Sequence, residues 1–185
     1  GDNGSTKAII DGTYLTQIRT GAATGVAFKH LAKKDCNIAG VIGAGGQSKS
    51  QILALIEVKN LELIKIFDMN FNKAKKLANT LANELNQKIE IIPVDSSKNA
   101  VLDSDLIVTV TTSKKPVFNS KYVKKGATIS CVGSYKENMQ EMDPSILKKA
   151  SKIFFDSKEA VLEESGDLII PLKNNIIPKS KLTGN

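Results

Sequence analysis

From residue 38 onward the chain alternates short apolar runs with longer amphipathic stretches, and this rhythm limits the fold more than any other feature. "IAGVIG" (38–43), "LELIKIFD" (61–68), "KIEIIPVD" (88–95), "DLIVTVTT" (105–112), "GATISCVGS" (126–134) and "KIFFDS" (152–157) read as strands. Their near-continuous apolar character suits strands buried on both faces. Between them, "SKSQILALIEV" (48–58) gathers Ile52, Leu55 and Ile56 on one helical face. "NKAKKLANTLANEL" (72–85) does the same with Ala74, Leu77, Ala78, Leu81 and Leu85, and shorter helices are expected over 96–102 and about 143–150. Strands separated by helices run parallel with both faces covered, and crossover handedness makes the sheet doubly wound. The expected fold is therefore α/β, with about six parallel strands.

Upstream of this block, Thr16 is placed to cap a helix running to about Lys34, with Arg19 in its first turn. Its early residues "GAATG" are too small to fill space, but they allow a backbone or a ligand to come close. Residues 1–14 form a short extended run with no evident partner, and neither end of the chain reads as a finished terminus. Residues 15–185 are thus expected to form one domain, and 1–14 the remnant strand of another lobe.

Composition excludes more than it assigns. The net charge of +7 comes from scattered lysine doublets, and aromatic residues make up only 5% of the chain, so a stacking surface for nucleic acid is not expected. No apolar run is long enough for a membrane span. Cys36 and Cys131 have no metal-like spacing, which predicts no metal site and suits a reducing, cytoplasmic setting. Of the 26 Lys+Arg residues, Arg19 is the only arginine. A planar fork of donors grips a carboxylate or phosphate in a way that an ammonium cannot, so this position is a candidate anion clamp.

The stretch "VIGAGGQS" carries the clearest chemistry. A buried strand leads into Gly43-x-Gly45-x-x-Ser48, and a helix follows. Gly43 permits the turn, Gly45 lets a pyrophosphate approach the backbone, and Ser48 keeps the helix close to the sheet. A helix N-terminus then offers free N–H groups to the anion. Asp68 ends the second strand 20 residues after Ser48, where a carboxylate can accept from a ribose hydroxyl. A dinucleotide fits this pattern; another adenosine ligand of the methyltransferase type, or a purely structural turn, also remains open. Asp68 favours NAD over NADP because it repels a 2′-phosphate, although Asn70 and Lys73 stand nearby.

Taken in order, "LTQIRTGAATGVAFKHLA", "GVIGAGGQS", "VTVTTSKKPVF", "GATISCVGSYKENMQEMD" and "FFDSKEAVLEESGDL" resemble the ornithine cyclodeaminase/mu-crystallin family over nearly the whole chain. The resemblance implies a Rossmann-type NAD(P)-binding domain whose N-terminal lobe, the family's dimer interface, is missing. It implies a homodimer for the full-length protein and a monomer for this piece. It also implies hydride transfer at the α-carbon of an amino or imino acid. Ornithine cyclodeamination, a reductase or dehydrogenase reaction, and non-catalytic binding of the mu-crystallin type are the variants. By the same resemblance, Arg19 and Thr20 belong to the anion-clamping motif, and Gly45, Gly46 and Gln47 to the phosphate loop. Thr109, Thr111 and Thr112 would border the nicotinamide ribose, with Val132, Gly133 and Ser134 beneath the ring. Tyr135 stands where ornithine-specific members carry a proton-handling aspartate, and a phenol is a poor base near neutral pH. His30 reads as a surface residue and Cys131 as core. Glu164 and Asp167 either approach the site or belong to a helix ending at Gly166.

Overall fold

The computed structural model describes residues 2–85 and 89–184. Lys88, at the start of one expected strand, and the outermost residues of the two expected units, Gly1 and Asn185, lie outside the described residues. Among the described residues, seven α-helices and five strands follow in the order α1 (Thr13–Leu31), β1 (Ile38–Ile42), α2 (Ser48–Val58), β2 (Leu63–Phe67), α3 (Phe71–Leu85), β3 (Glu90–Pro93), α4 (Ser97–Val101), β4 (Leu106–Thr109), β5 (Thr128–Cys131), α5 (Ser145–Lys149), α6 (Lys158–Glu164) and α7 (Gly166–Lys173). All strand pairs are parallel, and their order across the sheet is β3-β2-β1-β4-β5. Strand order reverses between β1 and β4, so a crevice opens above the C-terminal ends of these two strands.

Two apolar layers sandwich the sheet. On one face Phe28 of α1, Ile52 and Leu55 of α2, and Ala74, Ala78 and Leu81 of α3 pack on Val41, Ile64, Ile66 and Val108. On the other, Ala100 and Val101 of α4, Leu147 of α5 and Leu168 of α7 pack with Ile42 and Ile107. The domain is doubly wound, as the alternation of apolar and amphipathic segments required. Gly40 explains how close the second layer comes, because a Cβ there would lie 2.0 Å from the Ala100 carbonyl oxygen. On the first face, Gly21 and Gly25 press α1 against α2, with added Cβ atoms 2.5 Å from the Ser50 oxygen and 3.2 Å from the Ala54 Cβ. The small residues of "GAATG" therefore admit a neighbouring helix.

Three expectations are corrected. The sixth strand is absent among the described residues: 152–157 forms one bridge, Phe154 with Gly184. The N–H groups of Thr183 and Phe155 donate to Ile153 and Gly184, respectively, and Ile153 donates to Thr183 Oγ1, so this segment bonds to the chain's end instead of the sheet edge. Helix α1 begins at Thr13, not after Thr16, because Asp11 accepts from the Thr13 N–H and Gly12 occupies the cap. Residues 5–12 precede it without forming a strand. Gly166 starts a helix instead of ending one; its N–H donates to the Lys136 carbonyl, and a Cβ would lie 2.0 Å from the Met139 oxygen. Among the described residues, no helix is long and apolar enough to cross a membrane, and no His/Cys/Asp/Glu cluster could hold a metal ion.

Candidate functional site

The C-terminal ends of the parallel strands bring most of the expected residues to one edge of the sheet. After β1 the chain turns at Gly43, whose φ of 108° and would-be Cβ 2.6 Å from the Val110 oxygen leave room only for glycine. Gly45 is different. Its surroundings are open, with nothing within 4 Å of an added Cβ, and Gly46 meets only the Gln17 amide nitrogen at 3.6 Å. Packing therefore does not explain a glycine at position 45. Helix α2 starts at Ser48 with no side-chain cap and no acidic residue in its first turn. An anion facing this terminus would meet free amides and the positive end of the helix dipole.

Asp68 follows β2 and joins the loop directly. One carboxylate oxygen accepts from the Ala44 N–H at 2.9 Å, inside the glycine turn, and the other accepts from the Asn70 N–H at 2.8 Å. These bonds fix the carboxylate beside the loop and leave each oxygen a further lone pair for a hydroxyl donor. On the β3 side of Asp68 lies a cavity of about 340 Å³, lined by Phe71, Pro93, Val94, Asp95 and Asn99. The Asn99 amide donates to Asp95 Oδ1 across its polar rim at 2.8 Å. Sequence reading did not find this cavity, whose walls come from three separate segments.

The ends of β4 and β5 form the other half of the edge. Thr109 is fully buried, Thr111 half-buried and Thr112 exposed. Val132 donates its N–H to the Thr109 carbonyl, and the strands stay so close that a Cβ on Gly133 would lie 1.9 Å from the Thr111 oxygen. Ser134 is buried, donating to the Met139 carbonyl and accepting from the Asp167 N–H. Tyr135 is exposed, with the Lys136 ammonium 5.7 Å from its ring centre.

Glu141 escaped the sequence reading. It is fully buried and accepts from Thr109 Oγ1 at 3.0 Å, the Thr111 N–H at 2.5 Å and the Gly133 N–H at 2.7 Å. Beside it, Asp167 Oδ1 accepts from the Glu141 and Met142 N–H groups at 2.8 Å each, while the buried Oδ2 has no partner. Burial raises both carboxyls above the ordinary range, and the hydrogen bonds offset only part of that effect. Burial also pushes the Cys131 thiol well up, with Asp167 and Glu141 adding to the rise. Nothing in "KENMQEMD" marks which of its acids turns inward.

Arg19 is not brought into this edge by any contact. It is exposed, with no ion pair among the described residues. Because α1 starts at Thr13, Arg19 sits in the second turn and not in the first, as expected from a start at Thr16. At 100° per residue it falls on the face opposite Gly21 and Gly25. Its neighbour Thr20 spends its hydroxyl on the Thr16 carbonyl. His30 is exposed in the last turn of α1. Glu164 is exposed at the end of α6, so of the pair Glu164 and Asp167 only Asp167 reaches the strand ends.

An open glycine turn at the switch point of a doubly wound parallel sheet, tied to an acid on the next strand, defines the Rossmann-type nucleotide-binding class. The profile of the ornithine cyclodeaminase/mu-crystallin family matches residues 1–182, and the chain belongs to that family. It is 35% identical over 179 residues to a Delta(1)-pyrroline-2-carboxylate reductase of Bacillus cereus, covering 97% of this chain and 54% of the relative. The structure of Thermococcus litoralis Delta(1)-pyrroline-2-carboxylate reductase in complex with NADH and L-proline superposes with a TM-score of 0.93 at 40% identity, covering 99% of this chain and 56% of that one. An archaeal alanine dehydrogenase dimer with bound NAD gives a TM-score of 0.90 at 31% identity, covering 100% and 55%. The chain thus spans about half the length of the relatives it matches.

Proposed function

We propose that this chain is the dinucleotide-binding half of an NAD-dependent oxidoreductase that transfers a hydride at the α-carbon of a small amino or imino acid. The observation carrying this reading is the glycine turn: unfilled space over Gly45, an uncapped α2 terminus and the Ala44–Asp68 bond together suit a pyrophosphate and its adjoining ribose. The loop amides of Gly45, Gly46 and Gln47 would hold the phosphates and Asp68 the adenosine ribose. The adenine would enter the cavity at Phe71, Val94 and Asp95, where a carboxylate can accept from an exocyclic amine. Thr109, Thr111 and Thr112, with Val132, Gly133 and Ser134, would border the nicotinamide end. When bound, the cofactor supplies or accepts the hydride; the chain orients it and shields one face from water.

Asp68 supports NAD over NADP, since a 2′-phosphate beside a fixed carboxylate is repelled and the sole arginine lies on α1. Tyr135 in place of an acid supports an imine reductase or amino-acid dehydrogenase over ornithine cyclodeamination. Arg19 would bind the substrate carboxylate from its exposed position on α1. The rest of the active site, and a homodimer interface, would come from protein outside these 185 residues. Ile9, Ile10, Tyr14, Leu15 and Ile18 are exposed around the start of α1 and suit burial by that part. The free cysteines Cys36 and Cys131 agree with a cytoplasmic setting.

The test is calorimetric titration of the full-length protein with NAD and NADP. NAD should bind more tightly, and Asp68→Ala should weaken NAD and narrow the difference from NADP. Incubation with cyclic imino acids and NADH, followed by the loss of NADH absorbance, should show turnover. Equal binding of both cofactors by the wild type and Asp68→Ala would remove Asp68 from the site.

A further inference from the structure

Among the described residues, Glu141 is a fully buried carboxyl with no cation paired to it. Its two oxygens receive the Thr109 hydroxyl and the N–H groups of Thr111 and Gly133, and the Thr111 side chain also acts on it, all from the ends of β4 and β5. The two N–H groups can only donate, so both carboxyl oxygens serve them as acceptors, while the Thr109 hydroxyl can turn either way. The arrangement therefore suits the ionised form, although burial alone opposes it. None of the ion pairs among the described residues reaches Glu141. The titratable groups facing it are Asp167 of α7 and Cys131 of β5, and neither supplies positive charge.

The carboxylate lies beneath the edge that carries Thr111 and Gly133. We propose that Glu141 is a fixed anion that makes the site prefer the oxidised dinucleotide, whose nicotinamide ring is cationic, over the neutral reduced form. This rests on the dinucleotide reading given above. The two redox forms share every other group, so interactions with pyrophosphate, ribose and adenine cancel in the comparison. The charge difference at the ring remains, and a buried carboxylate acts on it through a medium of low dielectric. Tighter binding of the oxidised form makes the bound reduced form a stronger hydride donor, which suits reduction of an imine.

The experiment measures Kd for NAD⁺ and NADH on the full-length protein, the wild type beside Glu141→Gln and Glu141→Asp, with thermal melts to confirm folding. Glu141→Gln removes the charge and should shift the ratio of the two Kd values toward NADH by about fivefold or more. Glu141→Asp keeps the charge but shortens the reach, so both affinities should fall while the ratio stays near the wild-type value. If Glu141→Gln does not fold, the same ratio is followed with pH on the wild type. It should move toward NADH as the pH falls through the raised range of Glu141, with Asp167 the other raised carboxyl beside it and the Cys131 thiol staying neutral throughout. A ratio unchanged by Glu141→Gln, or unchanged with pH where that measurement replaces it, overturns the proposal and leaves Glu141 a purely structural clamp. Failure of the wild type to bind either form overturns the dinucleotide reading instead.

Discussion

Replacing Gly45 by alanine separates what the glycine turn does for the fold from what it does for a ligand. In the structure an added Cβ at position 45 meets nothing within 4 Å, and the residue is not among the glycines with positive φ. The substitution should therefore leave stability unchanged or raise it by up to about 1 kcal/mol through reduced freedom of the unfolded chain. Gly43→Ala is the comparator: a φ of 108° and a contact of 2.6 Å with the Val110 oxygen predict a loss of about 2–4 kcal/mol. At roughly 2–4 °C per kcal/mol for a domain of this size, the two variants should melt about 4–20 °C apart. Binding should not follow stability. A methyl group over the Gly45 amide holds a phosphate oxygen beyond hydrogen-bonding range, and loss of one charged hydrogen bond costs about 1.5–3 kcal/mol, roughly 10- to 150-fold in NAD affinity. Melting curves and calorimetry on the same samples decide the matter. If Gly45→Ala bound NAD like the wild type, or lost as much stability as Gly43→Ala, the open turn would not be a ligand cradle.

Three further expectations follow from named contacts. Gly21→Ala should destabilise by about 1–2 kcal/mol despite alanine's better helix propensity, because its methyl lands 2.5 Å from a backbone oxygen of α2; chemical denaturation checks this. Thermal stability should peak at mildly acidic pH. Burial raises the folded pKa values of Glu141 and Asp167, so their contribution is complete below the unfolded values and fades as pH rises through the raised ones. Asp105 and Asp143 act oppositely: burial works to raise both, but hydrogen bonds outweigh it and hold them low, so their stabilisation fades as pH falls. A melt series across pH tests the shape, and Glu141→Gln should flatten its alkaline limb. Arg19→Lys should leave the melt untouched, since Arg19 is exposed and in no ion pair among the described residues, yet reduce kcat/KM of the full-length protein at least about tenfold; unaltered kinetics would make the solitary arginine an accident of composition.

Fold class and the glycine turn were legible because they rest on local rules. Apolar runs of strand length alternate with helical periodicity, and that alone demands a parallel sheet with two covered faces. The five strands of the sheet fall within five of the expected ranges, and Ser96 caps the short helix placed after the third strand. Asp68 could be singled out because its distance from the glycine turn follows from the length of one helix and one strand. The expected strand at 152–157 failed because apolar content does not reveal which backbone will supply the hydrogen bonds, and here residues 183–184 do so. Tertiary structure alone selected Glu141 from the acids of "KENMQEMD", since burial and three converging donors come from strands far apart in sequence. It alone assigned Gly21 and Gly25 to a helix seam, assembled the cavity beside Asp68, and left Arg19 on an open face. Periodicity and spacing are properties of one segment at a time, whereas a partner for a buried charge, a wall for a cavity or a cover for an exposed face exists only once segments meet.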